Sequence, residues 1–296
     1  MAGTDRWRAL GAAILLALGC ATGCAVRDGD ASGVSAHGPA PALRPGTGCA
    51  PGPAAPGAPS PPPRGERAAT GSPLYRTGPL CVPGCRLTSF PDGGFAGARA
   101  FLRQVHRCLD QAWTRQFAAA GLRFSPPAVE IWRQGERRVP CGRIGGDIMG
   151  LYCSGDDTAH LQVIEEWHRP GFEAEMVLLA AHEYGHHVQY YARIGDFADR
   201  AYQRAGGKAA TELLERRLEL QAECLAAAFA AAVRTLIALE DQVWEQVLDA
   251  EADLAPGDRA THGGPAGRRH WMESGFRAGG PGGCDTWSAP AHLVAS

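Results

Sequence analysis

Charge of one sign is in short supply in this chain. Its 296 residues carry 29 Lys and Arg against 31 Asp and Glu, a formal net charge of −2, and that balance makes no electrostatic case for nucleic acid as a partner. Long apolar runs are scarce too. The run Ala9 to Leu18 is too short to span a bilayer as a helix and has the length of a signal-peptide core. No C-x-x-C pair occurs among the ten cysteines, which speaks against a cysteine-built zinc site. From Cys24 to about Ser72 periodic apolar patterning is missing, with only segments such as Pro39-Ala40-Pro41 and Pro59-Ser60-Pro61-Pro62-Pro63. Such a stretch cannot bury a core and reads as a disordered, partly extended tether.

What remains divides the chain into three parts. Residues 1 to 24 read as an export signal, with Arg6 and Arg8 ahead of the apolar run. Gly19-Cys20 and Gly23-Cys24 resemble a bacterial lipobox, with Ala17 where Leu is more usual. Lipidation at Cys20 or Cys24, plain secretion and a retained N-terminal anchor all stay open, and each places the rest outside the cytoplasm. Residues 25 to 72 are the linker. Residues 73 to 296 are the folded domain, and 45% hydrophobic content in the chain is ordinary for a globular protein.

Eight further cysteines in an exported chain point to disulfides. The expected pairs are Cys141 with Cys153, stapling a hairpin-like excursion, and Cys224 with Cys284, pinning the C-terminal tail to a helix. Ala96 to Ala120 carries Phe101, Leu102, Val105, Leu109, Ala112, Trp113 and Phe117 at helical spacing. Ala128 to Trp132, Gly150 to Cys153 and His160 to Ile164 alternate as short strands. Leu236 to Leu254 reads as a packing helix with Leu239, Val243, Val247 and Leu248 inward. The fold class is therefore α+β, mainly helical with a small sheet.

The chemistry centres on His182-Glu183-Tyr184-Gly185-His186. It follows the buried helical run Met176 to Ala181, with Gly195 expected to close the helix. Residues four apart share a helix face, so His182 and His186 can offer two imidazoles to one metal, while Glu183 reaches water bound to it. A catalytic zinc needs a third protein ligand. Ala209 to Leu236 reads as one helix bearing Glu219 and Glu223 one turn apart. Glu219 is the candidate ligand and Glu223 the acid that could hydrogen-bond a ligand His. The competing reading is a solvated acidic stripe of Glu212, Glu215, Glu219 and Glu223.

These segments, in order with Thr261-His262-Gly263, Trp271, Gly275-Phe276 and Cys284-Asp285-Thr286, resemble the neutral zinc metallopeptidases of bacteria. Cys108 to Trp113, Pro140-Cys141-Gly142 and Tyr152-Cys153 share the likeness, which covers roughly residues 73 to 287. The resemblance implies a zincin-like domain with Zn2+ on His182, His186 and Glu219 and with Glu183 as general base. His262 is the candidate for stabilising the oxyanion, against the alternative of a loop His that fixes the tail. His187 points elsewhere on the helix and is assigned a supporting role. Two departures stand out: Glu223 replaces the family's Asp, and Gly264-Pro265-Ala266-Gly267 replaces a polar segment.

Two functions stay open from sequence. One is an exported zinc endopeptidase acting on a peptide or protein substrate. The other is a zinc-binding, catalytically silent envelope protein that holds a peptide or partner, a role that would not require Glu183.

Overall fold

A computed structural model describes residues 60–90, 93–145, 148–252 and 259–295. The export signal, Cys20, Cys24 and most of the tether lie outside these residues. The folded part begins ahead of the expected boundary at Pro73. A short helix, α1 (Glu66–Thr70), buries Ala68 and Ala69, and Ser60 bridges Leu122. The Pro-rich composition hid it: two small alanines are enough to dock one helical turn.

Helices dominate. Helix α2 (Gly94–Ala119) matches its apolar periodicity and buries Phe101, Leu102, Val105, Leu109, Trp113 and Phe117. It packs on α3 (Glu173–Tyr191), which is buried on every side from Met176 to Gln189, as a helix apolar all round must be. Tyr191, not Gly195, ends α3. Arg193 makes the turn at φ 62°, and Gly195 belongs to the next helix, α4 (Ile194–Arg204).

The sheet has the order β1-β5-β4. Strands β1 (Ala128–Arg133) and β5 (Thr158–Val163) run parallel, and β4 (Gly150–Cys153) pairs antiparallel with β5, placing Tyr152 opposite Ala159. Between β1 and β4 lies a hairpin that the sequence reading missed, β2 (Arg137–Val139) with β3 (Gly142–Ile144). Its charged, short strands carry no alternation to detect.

Helix α5 (Lys208–Val233) crosses α3 and then α8 (Pro265–Ala278). Glycines permit both contacts. A Cβ on Gly185 of α3 would lie 3.2 Å from Ala222 Cα, and one on Gly275 of α8 would lie 2.0 Å from the Cys224 carbonyl oxygen. Helix α6 (Asp241–Ala252) starts five residues after the expected Leu236. Val243, expected inward, is exposed, and Trp244 takes the inward place, stacked on Phe276 of α8 at 4.1 Å. Short helices α7 (Arg259–His262) and α9 (His292–Ala295) complete the chain.

Both expected disulfides form, Cys141 with Cys153 and Cys224 with Cys284. A third, Cys85 with Cys108, ties the entry loop to α2, and Cys81 is disulfide-bonded as well. Among the described residues no helix is long and apolar enough to cross a membrane.

Candidate metal centre

One helical turn of α3 separates His182 from His186, and the crossing at Gly185 brings α5 close enough to add Glu219. The ligand atoms of these three residues lie within 4.8 Å of one another. The two Nε2 atoms are 3.1 Å apart, and Glu219 Oε2 is 3.2 Å from one and 3.3 Å from the other. The two approaches to Glu219 lack hydrogen-bond direction: both of its oxygens are buried without a donor. A buried carboxylate without a partner is costly, so two nitrogens and an oxygen aimed at one point fit a zinc ion, whose usual donors are imidazole and carboxylate. The solvated-stripe reading is excluded for Glu219, which is 0% exposed.

The electrostatics agree. Against the desolvation of full burial, the imidazoles of His186, His262 and His182 hold Glu219 well below the usual carboxylate range. Reciprocally, and again against desolvation, Glu219 raises His186 to about 9. A carboxylate field that holds a proton so firmly favours a cation at the point where the three atoms meet.

The orientation of His186 follows from a chain of amides. Gln189 Nε2 donates to the Leu218 carbonyl at 2.7 Å and to Gln221 Oε1 at 3.1 Å. Gln189 Oε1 is thus an acceptor, taking the His186 Nδ1 proton at 2.9 Å and leaving Nε2 as the lone pair facing the cluster. Gln221 is held in turn, donating to Tyr75 Oη at 2.8 Å and to the Cys284 carbonyl at 2.9 Å. Sequence reading missed Gln189, Gln221 and Tyr75. The offsets of Gln189 from His186 and of Gln221 from Glu219 were the hint for those two, and nothing local marks Tyr75.

Glu183 is fully buried beside the cluster. Its Oε2 accepts the Tyr152 backbone N–H of β4 at 2.7 Å, while Oε1 has no partner. Burial pushes its carboxyl up from the ordinary range, opposed by the nearby imidazoles. Gly150 makes room: a Cβ there would lie 2.5 Å from Glu183 Oε1. His187 faces away from the cluster, as expected. Its Nε2 donates to the Ser125 carbonyl at 2.8 Å and Nδ1 meets Tyr152 Oη at 3.0 Å.

The structure departs from the sequence reading at Glu223. Its Oε1 lies 3.8 Å from His182 Nδ1, too far for the expected hydrogen bond, and instead accepts Arg268 at 2.8 Å. Arg268 is buried and also donates to Glu251 at 2.9 Å. The longer Glu, in place of Asp, reaches past the imidazole to a guanidinium supplied by α8. Gly264 to Gly267, which replaces the family's polar segment, forms the cap and first turn of that helix. His262 reaches the cluster from α7, with Nε2 at 3.5 Å from Glu219 Oε2 and Nδ1 at 2.9 Å from Thr261 Oγ1. Burial lowers the His262 pKa from its ordinary value.

A mainly helical α+β domain that sets a buried His-Glu-x-x-His helix beside a carboxylate from a second helix brings together the donor types of a three-ligand metal site. The profile described as "putative neutral zinc metallopeptidase" matches residues 96–287. The chain belongs to this family. It is 28% identical over 208 residues to uncharacterized protein YpfJ of Escherichia coli K12, covering 64% of this chain and 71% of that one. It is 30% identical over 195 residues to uncharacterized protein Rv2575 of Mycobacterium tuberculosis, covering 56% and 64%. No solved structure matches the chain.

Proposed function

We propose that this protein is an exported zinc-dependent endopeptidase with a zincin-like fold. The observation that carries the reading is the fully buried Glu183 carboxylate, with one oxygen fixed by Tyr152 N–H and the other unpartnered beside the His182, His186, Glu219 cluster. A site that only stored metal would not need a positioned, unpaired base.

His182, His186 and Glu219 would hold the zinc. Zinc bound there would supply Lewis acidity, to polarise a scissile carbonyl and lower the pKa of water. Glu183 Oε1 takes the proton from the attacking water and returns it to the leaving amine. Its burial keeps the carboxyl pKa raised, nearer the range in which a group can both accept and release a proton. His262, with its Nε2 free of hydrogen bonds and facing the cluster, stabilises the oxyanion. Substrate enters from the side of His186, the most exposed of the three ligands at 9%. A groove of about 450 Å3 lined by Tyr202, Glu212, Glu215 and Thr261 lies one to two turns of α5 before Glu219. The disulfides support an oxidising compartment, reached by the N-terminal signal with or without a lipid anchor at Cys20 or Cys24.

The test is a zinc assay with peptide-library digestion. Glu183→Gln is expected to keep one equivalent of zinc and lose about 10²-fold or more in cleavage, the scale of general acid–base catalysis. Glu219→Ala is expected to lose the metal. Unimpaired cleavage by Glu183→Gln refutes the mechanism, and one equivalent of zinc with no cleavage of any peptide would favour a silent zinc-binding role.

A further inference from the structure

Several surface arginines among the described residues sit in ion pairs. Arg269 reaches three carboxylates, Glu245, Asp249 and Glu273, while Arg137 pairs with Glu130, Arg143 with Glu136 and Arg234 with Asp241. One groove instead gathers four arginines. On the outer face of α2, away from the metal-binding helix, Arg99, Arg103 and Arg107 follow one another at four-residue intervals, and Arg86 of the preceding loop joins them. The groove measures about 500 Å3, and among the described residues no carboxylate lines it. Thr88 and Gln104 supply its polar floor, with Thr88 N–H donating to Gln104 Oε1 at 2.9 Å. Arg86, Arg103 and Arg107 are exposed, and Arg99 is half-buried with its Nε shielded from solvent and lacking an acceptor.

Like charges one turn apart on a helix repel, and a chain of net charge −2 has carboxylates enough to compensate them. Four guanidinium groups in one concave surface, of which Arg107 feels the nearby Asp110 carboxylate and Arg99 keeps a buried donor unused, are the complement of an anion carrying several charges. The rise of a helix spaces Arg99, Arg103 and Arg107 at about 6 Å, so a ligand that meets all of them presents several anionic groups in a row. A phosphate group carries up to about two negative charges and three acceptor oxygens suited to guanidinium forks.

We infer that this groove is a binding site for phosphate groups, two or more presented together on one molecule or one surface. Anionic lipid headgroups and soluble oligophosphates share that chemistry. The site is separate from the metal centre: α2 turns its apolar face toward α3 and its arginines away from it.

The full folded chain is tested with two probes at low and physiological salt. One is tripolyphosphate, by calorimetry, and the other is vesicles of phosphatidylglycerol in phosphatidylcholine, by flotation. Wild type is expected to bind at least one. Binding to both, or to vesicles alone, identifies a headgroup as source, whereas tripolyphosphate alone identifies a soluble ligand. The triple variant Arg99→Gln, Arg103→Gln, Arg107→Gln is expected to bind about ten-fold more weakly or worse, as charge-assisted contacts are lost. The Lys counterparts are expected to recover part of the affinity, and Arg269→Gln to change nothing. Circular dichroism and zinc content show that each variant folds. The proposal is overturned if wild type binds neither probe, if the triple variant binds like Arg269→Gln, or if an acidic peptide such as poly-glutamate occupies the groove while both phosphate probes fail.

Discussion

At the scale of single residues, space around Glu183 is as decisive as its charge. Gly150 touches Glu183 Oε1 so closely that a methyl group would sit 2.5 Å from it. Gly150→Ala is therefore expected to displace the carboxylate from the Tyr152 N–H, cutting cleavage about 10²-fold while His182, His186 and Glu219 still bind zinc. Activity and metal content measured on one preparation separate this from general misfolding. His187, one position beyond the ligand His186, sets an acid limit. Desolvation lowers its pKa from 6.5 to about 4, partly offset by the Ser125 carbonyl and Asp157. The unfolded chain then binds the proton more readily than the folded one, so stability is full above pH 6.5 and falls as pH drops toward 4. The loss is on the order of 3 kcal/mol. Denaturant unfolding of chelator-treated protein at pH 7, 5.5 and 4.5 is expected to show it, with a flatter profile in His187→Gln.

At the scale of elements, the site exists because three helices approach at glycines. The α5 and α8 contact is the tightest: a Cβ on Gly275 would lie 2.0 Å from Cys224 O and 2.8 Å from its carbonyl carbon. Backbone on both sides leaves nothing flexible to move, so Gly275→Ala is expected to destabilise the protein by about 1–3 kcal/mol, read as a lowered denaturant midpoint. Gly185→Ala is expected to cost less, because its nearest contact is 3.2 Å. Helix periodicity made α2, α3 and α5 legible in the sequence to within a few residues. It misplaced α6, whose rotation is set by Trp244 stacking on Phe276, a contact from another helix that no local pattern records.

For the whole molecule, the disulfide between Cys224 and Cys284 spans 60 residues and pins the C-terminal segment to the middle of α5. Loop-closure entropy assigns about 4 kcal/mol to a loop of that length and about 3 kcal/mol to the 12-residue loop of Cys141 and Cys153. Replacing each pair by alanine is expected to lower stability in that order by chemical denaturation. The Cys224 and Cys284 variant is also expected to hold zinc less tightly than the other. The Cys284 carbonyl anchors Gln221, which orients Gln189 and through it His186.

By itself the sequence determined the metal helix, the pairing of His182 with His186, the candidate Glu219 and two of the disulfides. Each of those rests on local spacing or on an ordered set of motifs. Only the tertiary structure decided that both Glu219 oxygens are buried without donors, that Tyr152 N–H and Gly150 position Glu183, and that Glu223 turns to Arg268 instead of His182. These are contacts between residues 31 or more positions apart, and which of them form depends on how closely helices and sheet can pack, a property of volumes in three dimensions.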